Sequence, residues 1–130
     1  MKTINLAYIH LLYNYLFGIS DDELEESFNI DNHSDREKFF SEARKDFQKW
    51  GPHTQSRVID AIEYVLSADQ VEKYWRQIIP HDLPIYVTSN KKEYLRALFQ
   101  AVIGRAPNED LKIEDIQVVD QLDKNWHPSD

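Results

Sequence analysis

The chain of 130 residues carries 23 carboxylates against 15 Lys and Arg, a formal charge of −8, and it has no cysteine. This length suits one domain with a real core, and a hydrophobic fraction of 42% argues against disorder. The absence of cysteine excludes disulfides, thiolate catalysis and cysteine-bound zinc, which fits a reducing cytoplasm. We therefore predict a single cytoplasmic helical domain over residues 1–124 and a polar C-terminal tail over residues 125–130.

The negative charge is concentrated in two blocks of the sequence. Residues 20–35 hold seven carboxylates and no Lys or Arg, and residues 106–130 hold seven carboxylates and two lysines. Residues 36–105 are slightly basic, with twelve cations and nine anions. This distribution argues against nucleic acid and against an anionic membrane surface, because both attract basic proteins. It favours a basic protein as partner and leaves the oligomeric state open.

The N-terminal apolar run from Ile4 to Phe17 predicts a first helix that is buried on nearly all sides. It is too short to span a bilayer, and no small-x-small cleavage pattern of a signal peptide follows it. His10 and Asn14 share one face of this helix at positions i and i+4. That spacing favours a buried hydrogen-bonding pair over a catalytic role for His10.

Apolar residues at helical spacing predict four longer helices between residues 34 and 104, after a short second helix capped by Ser20. A Ser, Thr or Asn followed three residues later by Glu or Gln opens a helix, and glycine or proline ends one. Such signals lie at Ser34 with Glu37, Gly51 with Pro52, Ser67 with Gln70, Asn90 with Glu93, and Gly104.

Two segments are candidates for short strands. Residues 85–88 follow two prolines and are rich in β-branched residues, which favours a strand or an extended connection. In residues 111–122 the β-branched content favours a strand near 113–119, paired with residues 85–88, whereas the acidic spacing favours a helix. Between these we favour a short helix or irregular segment. The predicted fold is mainly α, a compact single domain of five to six helices with up to two short strands near 85–88 and 113–119.

No catalytic signature appears in the sequence. The motifs GxxxxGK[ST], GxGxxG, HExxH and GxSxG are all missing. The EF-hand-like spacing that begins at Asp31 has Arg36 where the loop needs a glycine. His81 lies beside Asp82 in a predicted loop, which favours a role in a turn. We predict no catalytic residue, no metal site and no cofactor, and a protein that is not an enzyme.

A cysteine-free, strongly acidic, mainly helical domain of this length without a catalytic signature resembles the bacterial immunity proteins. These proteins neutralise the nuclease toxins of contact-dependent growth inhibition and other polymorphic toxin systems. The resemblance is one of type and covers the whole chain. It implies a toxin inhibitor that acts by protein–protein interaction, in which carboxylates and aromatic residues cover the basic active-site cleft of a cognate toxin.

Two other classes remain as alternatives. One is a phage-type acidic inhibitor that mimics nucleic acid and acts against a host protein. The other is a small helical enzyme or regulatory subunit with His10 or His81 at a pocket.

On the immunity-protein hypothesis, two acidic clusters are candidates for the toxin contact. The first acidic cluster is Asp21, Asp22, Glu23, Glu25, Glu26 and Asp31. The second acidic cluster is Glu109, Asp110, Glu114, Asp115, Asp120, Asp123 and Trp126. Trp126 lies in the predicted polar tail, where it is either an interface anchor or docked on the domain. The alternative for both clusters is a solvated surface that only aids solubility.

Overall fold

The computed structural model describes residues 2–17, 31–79, 90–112 and 114–130. It is mainly helical with two short strands, which confirms the predicted fold class. The predicted short helix at Ser20 and the candidate strand at 85–88 lie outside the described residues. The elements in chain order are β1 (Lys2–Asn5), α1 (Ala7–His10), a 3₁₀ turn (Leu11–Tyr13), α2 (Asn14–Phe17), α3 (His33–Lys49), α4 (Pro52–Ser67), α5 (Val71–Ile78), α6 (Lys91–Ile103) and β2 (Ile116–Val119).

The sheet pairs the two ends of the chain. β1 and β2 are parallel, with Lys2 opposite Ile116 and Asn5 opposite Val119. This corrects the assignment of Ile4 and Asn5 to the first helix, and at residues 116–119 the structure has the strand of the two alternatives and not the helix or irregular segment that we favoured. A short apolar run such as the one around Ile4 suits a helix or a strand equally. The pairing with a segment more than a hundred residues away decides the outcome here.

Asn5 is where the strand gives way to helix. Its Oδ1 accepts a hydrogen bond from the N–H of Ala7 at 3.1 Å, a turn that asparagine side chains commonly make. The chain then continues through α1, the 3₁₀ turn and α2 to Phe17. Leu12, Tyr13 and Leu16 are fully buried, so this run lies in the core as predicted.

The caps of the long helices agree with the sequence in part. Asn90 accepts from the N–H of Glu93 at 3.0 Å and caps α6, and Gly104 ends that helix with φ of 89°, both as predicted. The predicted capping box of α3 at Ser34 is wrong. Asn32 caps this helix instead by accepting from the N–H of Asp35 at 3.1 Å, because asparagine is as good a cap as serine and lies two residues earlier.

The core lies where α4, α6 and the N-terminal helices meet, with α3 packed against α6 on one side. Its largest fully buried side chains are Tyr13, Tyr94, Phe39, Phe99, Ile4, Leu6, Ile9, Leu12, Leu16 and Ile62. Among the described residues, no helix is long and apolar enough to cross a membrane.

Candidate partner-binding surface

Most carboxylates of the helical body, which we define as residues 31–79 and 90–109, lie beside a cation. Lys2 of β1 reaches Asp60 of α4 at 3.6 Å, the longest of these contacts, and Arg96 reaches Glu109 at 2.7 Å, the shortest. The side chain of Arg36 lies between two carboxylates and over the rings of Phe40 and Tyr94. The pairs that Lys and Arg form within the helical body are Arg36–Asp31, Arg36–Glu93, Lys45–Glu42, Lys91–Glu72, Lys92–Asp69, Arg96–Glu109 and Arg105–Glu63. In addition, Nε2 of His33 lies 3.5 Å from Oε2 of Glu37.

The acidic edge, which we define as residues 110–123, is different. It contains β2 and the segments on either side, and its single Lys or Arg is Lys112. All five of its carboxylates are exposed. Four of them form no salt bridge with any residue of the described ranges: Asp110, Glu114, Asp120 and Asp123. The acidic edge therefore keeps a negative charge that the helical body has largely neutralised.

Glu109 belongs to the second acidic cluster by sequence but to the helical body by its contacts. Arg96 donates to both of its carboxylate oxygens, from Nε at 2.8 Å and from Nη2 at 2.7 Å. These hydrogen bonds hold the pKa of Glu109 below its ordinary value, with the positive charge of Arg96 adding to the effect. The negative charge of Glu109 is thus neutralised by Arg96 of the same molecule.

The segment that leads into the acidic edge is fixed to α4. Glu63 is buried, and its Oε2 accepts from Arg105 Nη1 at 3.0 Å and from the N–H of Asn108. Ser67, predicted to open α5, is instead the last residue of α4. Its hydroxyl donates to the main-chain oxygen of Asn108 and accepts from the N–H of Leu111, both at 3.1 Å. These bonds place the start of the acidic edge at a defined position.

Trp126 and the residues after it lie against the N-terminal end of α4. The indole N–H of Trp126 donates to Oγ1 of the fully buried Thr54 at 3.1 Å, and the ring packs on the core. The N–H groups of Gly51 and His53 donate to the main-chain oxygens of Pro128 and Asp130 at 3.0 and 2.9 Å. Trp126 was considered either as an interface anchor or as a side chain docked on the domain, and these contacts are those of a docked side chain.

A side chain at Gly51 would collide with this C-terminal segment. A Cβ atom there would lie 2.0 Å from the main-chain oxygen of Ser129. Gly51 therefore allows the segment to approach the first turn of α4, whose N–H groups have no partner within the helix.

Of the six residues in the first acidic cluster, one, Asp31, lies within the residues that the structure describes. Asp31 is exposed, and its Oδ1 lies 3.5 Å from Nη2 of Arg36. The other five members, Asp21, Asp22, Glu23, Glu25 and Glu26, lie outside the described residues.

The two histidines that were considered for catalysis have different outcomes. His10 is half-buried, and its Nε2 forms a hydrogen bond with the main-chain oxygen of Gln77 in α5. The ring therefore joins α1 to α5. His10 and Asn14 were predicted to be a buried pair, and this is wrong for Asn14, because its side chain is exposed. The second histidine, His81, lies outside the described residues.

Among the described residues, an open groove of about 660 Å³ lies between α3 and α6. Its lining includes the apolar side chains of Phe40, Ala97 and Ala101 and the paired Arg36 and Glu93. In the described ranges, no three His, Asp or Glu side chains are grouped so that they could hold a metal ion.

Comparison with protein-family models, with curated proteins and with solved structures finds no match for this chain. The feature that distinguishes the candidate surface is therefore its own electrostatics: Asp110, Glu114, Asp120 and Asp123 have no salt bridge within the described ranges.

Proposed function

We propose that this protein is an immunity protein that binds a basic nuclease toxin of a contact-dependent growth inhibition or related polymorphic toxin system. In this proposal the acidic edge covers the active-site cleft of the toxin. The observation that carries it is the contrast between the helical body, which pairs most of its carboxylates, and the acidic edge, which leaves four of them unpaired among the described residues.

The physical argument starts from the substrate of a nuclease. A cleft that binds phosphate groups is basic, so its field attracts an acidic surface and accelerates the encounter. Charge pairs that become buried in the complex then slow dissociation. Carboxylates that already have an intramolecular cation contribute little to either effect, because their field is cancelled nearby.

The contacts revise which residues we assign to the interface. Within the second acidic cluster, we assign the toxin contact to Asp110, Glu114, Asp115, Asp120 and Asp123. Glu109 and Trp126 support the surface from inside the molecule through Arg96 and Thr54. The first acidic cluster remains a prediction.

The test begins with capture of a basic protein from a lysate of the source organism at low salt, followed by elution at high salt. The eluted protein is then assayed as a nuclease, with and without one equivalent of the acidic protein. We expect nuclease activity that the acidic protein abolishes. Recovery of a DNA-binding host protein without nuclease activity would instead favour the phage-type inhibitor.

A pair of variants locates the surface. Glu114→Lys/Asp120→Lys reverses two charges of the acidic edge, and Glu37→Lys/Asp46→Lys makes the same change in net charge on α3. We expect the first variant to slow association at low salt by about 10- to 100-fold and to flatten its salt dependence. The control should change the rate far less. Equal rates for the two variants would show that the net charge, and not the acidic edge, steers the encounter.

A further inference from the structure

The outer edge of β2 has main-chain groups without a partner among the described residues. The carbonyls of Asp115 and Val119 accept from the N–H groups of Lys2 and Leu6 at 3.1 and 2.9 Å. Because main-chain groups alternate in direction along a strand, this register points the N–H and C=O of Ile116 and Val118 away from β1. In the described part of the chain the sheet has two strands, so among these residues the outer edge of β2 is open.

We propose that this open edge pairs with an extended basic segment of the protein partner, which adds a third strand to the sheet. The inference rests on the proposed function, since it specifies how the same surface holds the toxin. Addition of a strand to an exposed sheet edge is a common mode of peptide recognition, in which main-chain hydrogen bonds supply the affinity.

The charges around the edge select the occupant. Glu114 and Asp115 precede β2, and Asp120 and Asp123 follow it, so both ends of the strand are acidic. A strand flanked by Lys or Arg would bring cations beside these carboxylates. A second copy of this chain, paired edge to edge, would bring carboxylates beside carboxylates, which is destabilising. The edge therefore favours a basic partner over self-association.

The strand is fixed before any partner arrives. Ile116 and Val118 are half-buried against the core, next to the buried Ile4 of β1, while Gln117 is exposed. Because a shift of one residue would turn these aliphatic side chains outward, the core holds the register of β2. An edge that is already ordered loses little conformational freedom on binding.

The test uses amide hydrogen exchange by NMR on the intact protein, with the synthetic peptide Lys-Arg-Thr-Val-Thr-Val-Thr-Lys-Arg as the probe. In the free protein we expect the amides of Ile116 and Val118 to exchange faster than those of Gln117 and Val119, which point toward β1. At a peptide concentration ten times the dissociation constant, exchange at Ile116 and Val118 should slow by about tenfold.

Two control peptides separate strand pairing from charge attraction. The first has the same sequence with N-methyl groups on alternate residues, which keeps every charge and removes main-chain donors along one edge. The second has Glu in place of the flanking Lys and Arg. We expect neither peptide to protect Ile116 and Val118.

Failure of this inference and failure of the proposed function give different results. The inference is overturned if the basic peptide does not bind, if it binds without protecting these two amides, or if the N-methylated peptide protects them equally. Inhibition of the captured nuclease would still stand in those cases. Protection of both amides without any inhibited nuclease would instead support strand pairing and overturn the toxin assignment.

Discussion

Glu63 and Asp120 are carboxylates of the same domain with opposite surroundings. Glu63, in the helical body, is 6% exposed and accepts hydrogen bonds from Arg105 and from the N–H of Asn108. Asp120, in the acidic edge, is exposed and forms no salt bridge or side-chain hydrogen bond with the described residues. Glu63 connects α4 to the segment that contains Arg105 and Asn108, whereas the carboxylate of Asp120 is exposed to solvent.

The contrast separates structural charge from charge that is available to a partner. Removal of a carboxylate that accepts hydrogen bonds within the fold lowers the free energy of unfolding, because its donors lose their acceptor. Removal of an exposed carboxylate without such hydrogen bonds changes the free energy of unfolding little, and the electric field of that carboxylate extends to an approaching protein. The difference between the helical body and the acidic edge should therefore be measurable as a difference in stability.

The largest effect on stability is expected for Glu63→Ala. This change removes the acceptor for Arg105 and Asn108, and hydrogen bonds to a charged group contribute about 1.5–3 kcal/mol. We expect the free energy of unfolding in urea to fall by about 2–3 kcal/mol. Amide exchange should also accelerate at Asn108 and Leu111, because the segment at 104–111 loses one of its attachments to α4.

The matched control is Asp120→Ala in the acidic edge. Its effect on the free energy of unfolding should stay within about 0.5 kcal/mol, as for ordinary surface substitutions. Equal losses for the two variants would contradict the division between helical body and acidic edge.

Much of the fold was predictable because its helices are specified by nearby residues. The spacing of apolar residues and the signals at Asn90 and Gly104 locate the long helices. The strand β1 was not predictable in this way, since a segment of four residues that overlaps the start of the apolar run at Ile4 suits either structure. Its pairing with β2 depends on residues more than a hundred positions away, which local patterns do not register.

The candidate surface was predictable in its composition but not in its electrostatics. Counting charges identified both acidic clusters, yet it gave Glu109 and Asp120 the same weight. Several of the cations that neutralise the helical body are well separated along the chain from their partners: 13 residues for Arg96 and Glu109, 42 for Arg105 and Glu63, and 57 for Arg36 and Glu93. Only the fold shows which carboxylates have such a partner.

A smaller effect is expected at the neutral polar groups inside the helical body. Tyr13 and Tyr94 are fully buried, and their hydroxyl oxygens are 2.9 Å apart. Tyr13→Phe or Tyr94→Phe alone leaves the other hydroxyl without its buried partner, which should cost about 1–2 kcal/mol of unfolding free energy. The double variant should cost less than the sum of the two, as measured by a double-mutant cycle. Additive losses would show that the hydroxyls do not depend on each other.

The same pair predicts a dependence on alkaline pH. Burial raises the pKa of both tyrosines above the ordinary value of 10.0. A group with a raised pKa in the folded state contributes its full stability below pH 10, and that contribution is lost as the pH rises further. Between pH 9 and 11 the wild-type protein should therefore lose stability more steeply than Tyr13→Phe/Tyr94→Phe, in urea titrations at each pH. Parallel curves would contradict the burial of ionisable hydroxyls.

The smallest effect is expected where the helical body meets the acidic edge, at Glu109. Arg96 lowers the pKa of this carboxyl below its ordinary value of 4.5, so the pair stabilises the fold above that pH, and the contribution is lost as the pH falls through the lowered value. The effect is small because the side chains of Arg96 and Glu109 are 43% and 30% exposed and water screens them. We expect Glu109→Gln to remove part of the acid dependence of unfolding between pH 5 and 3, as measured by urea titrations at each pH. If Glu109→Gln and the wild-type protein lose stability equally as the pH falls, Glu109 behaves as one more solvated carboxylate, and the acidic edge begins one residue earlier than its contacts indicate.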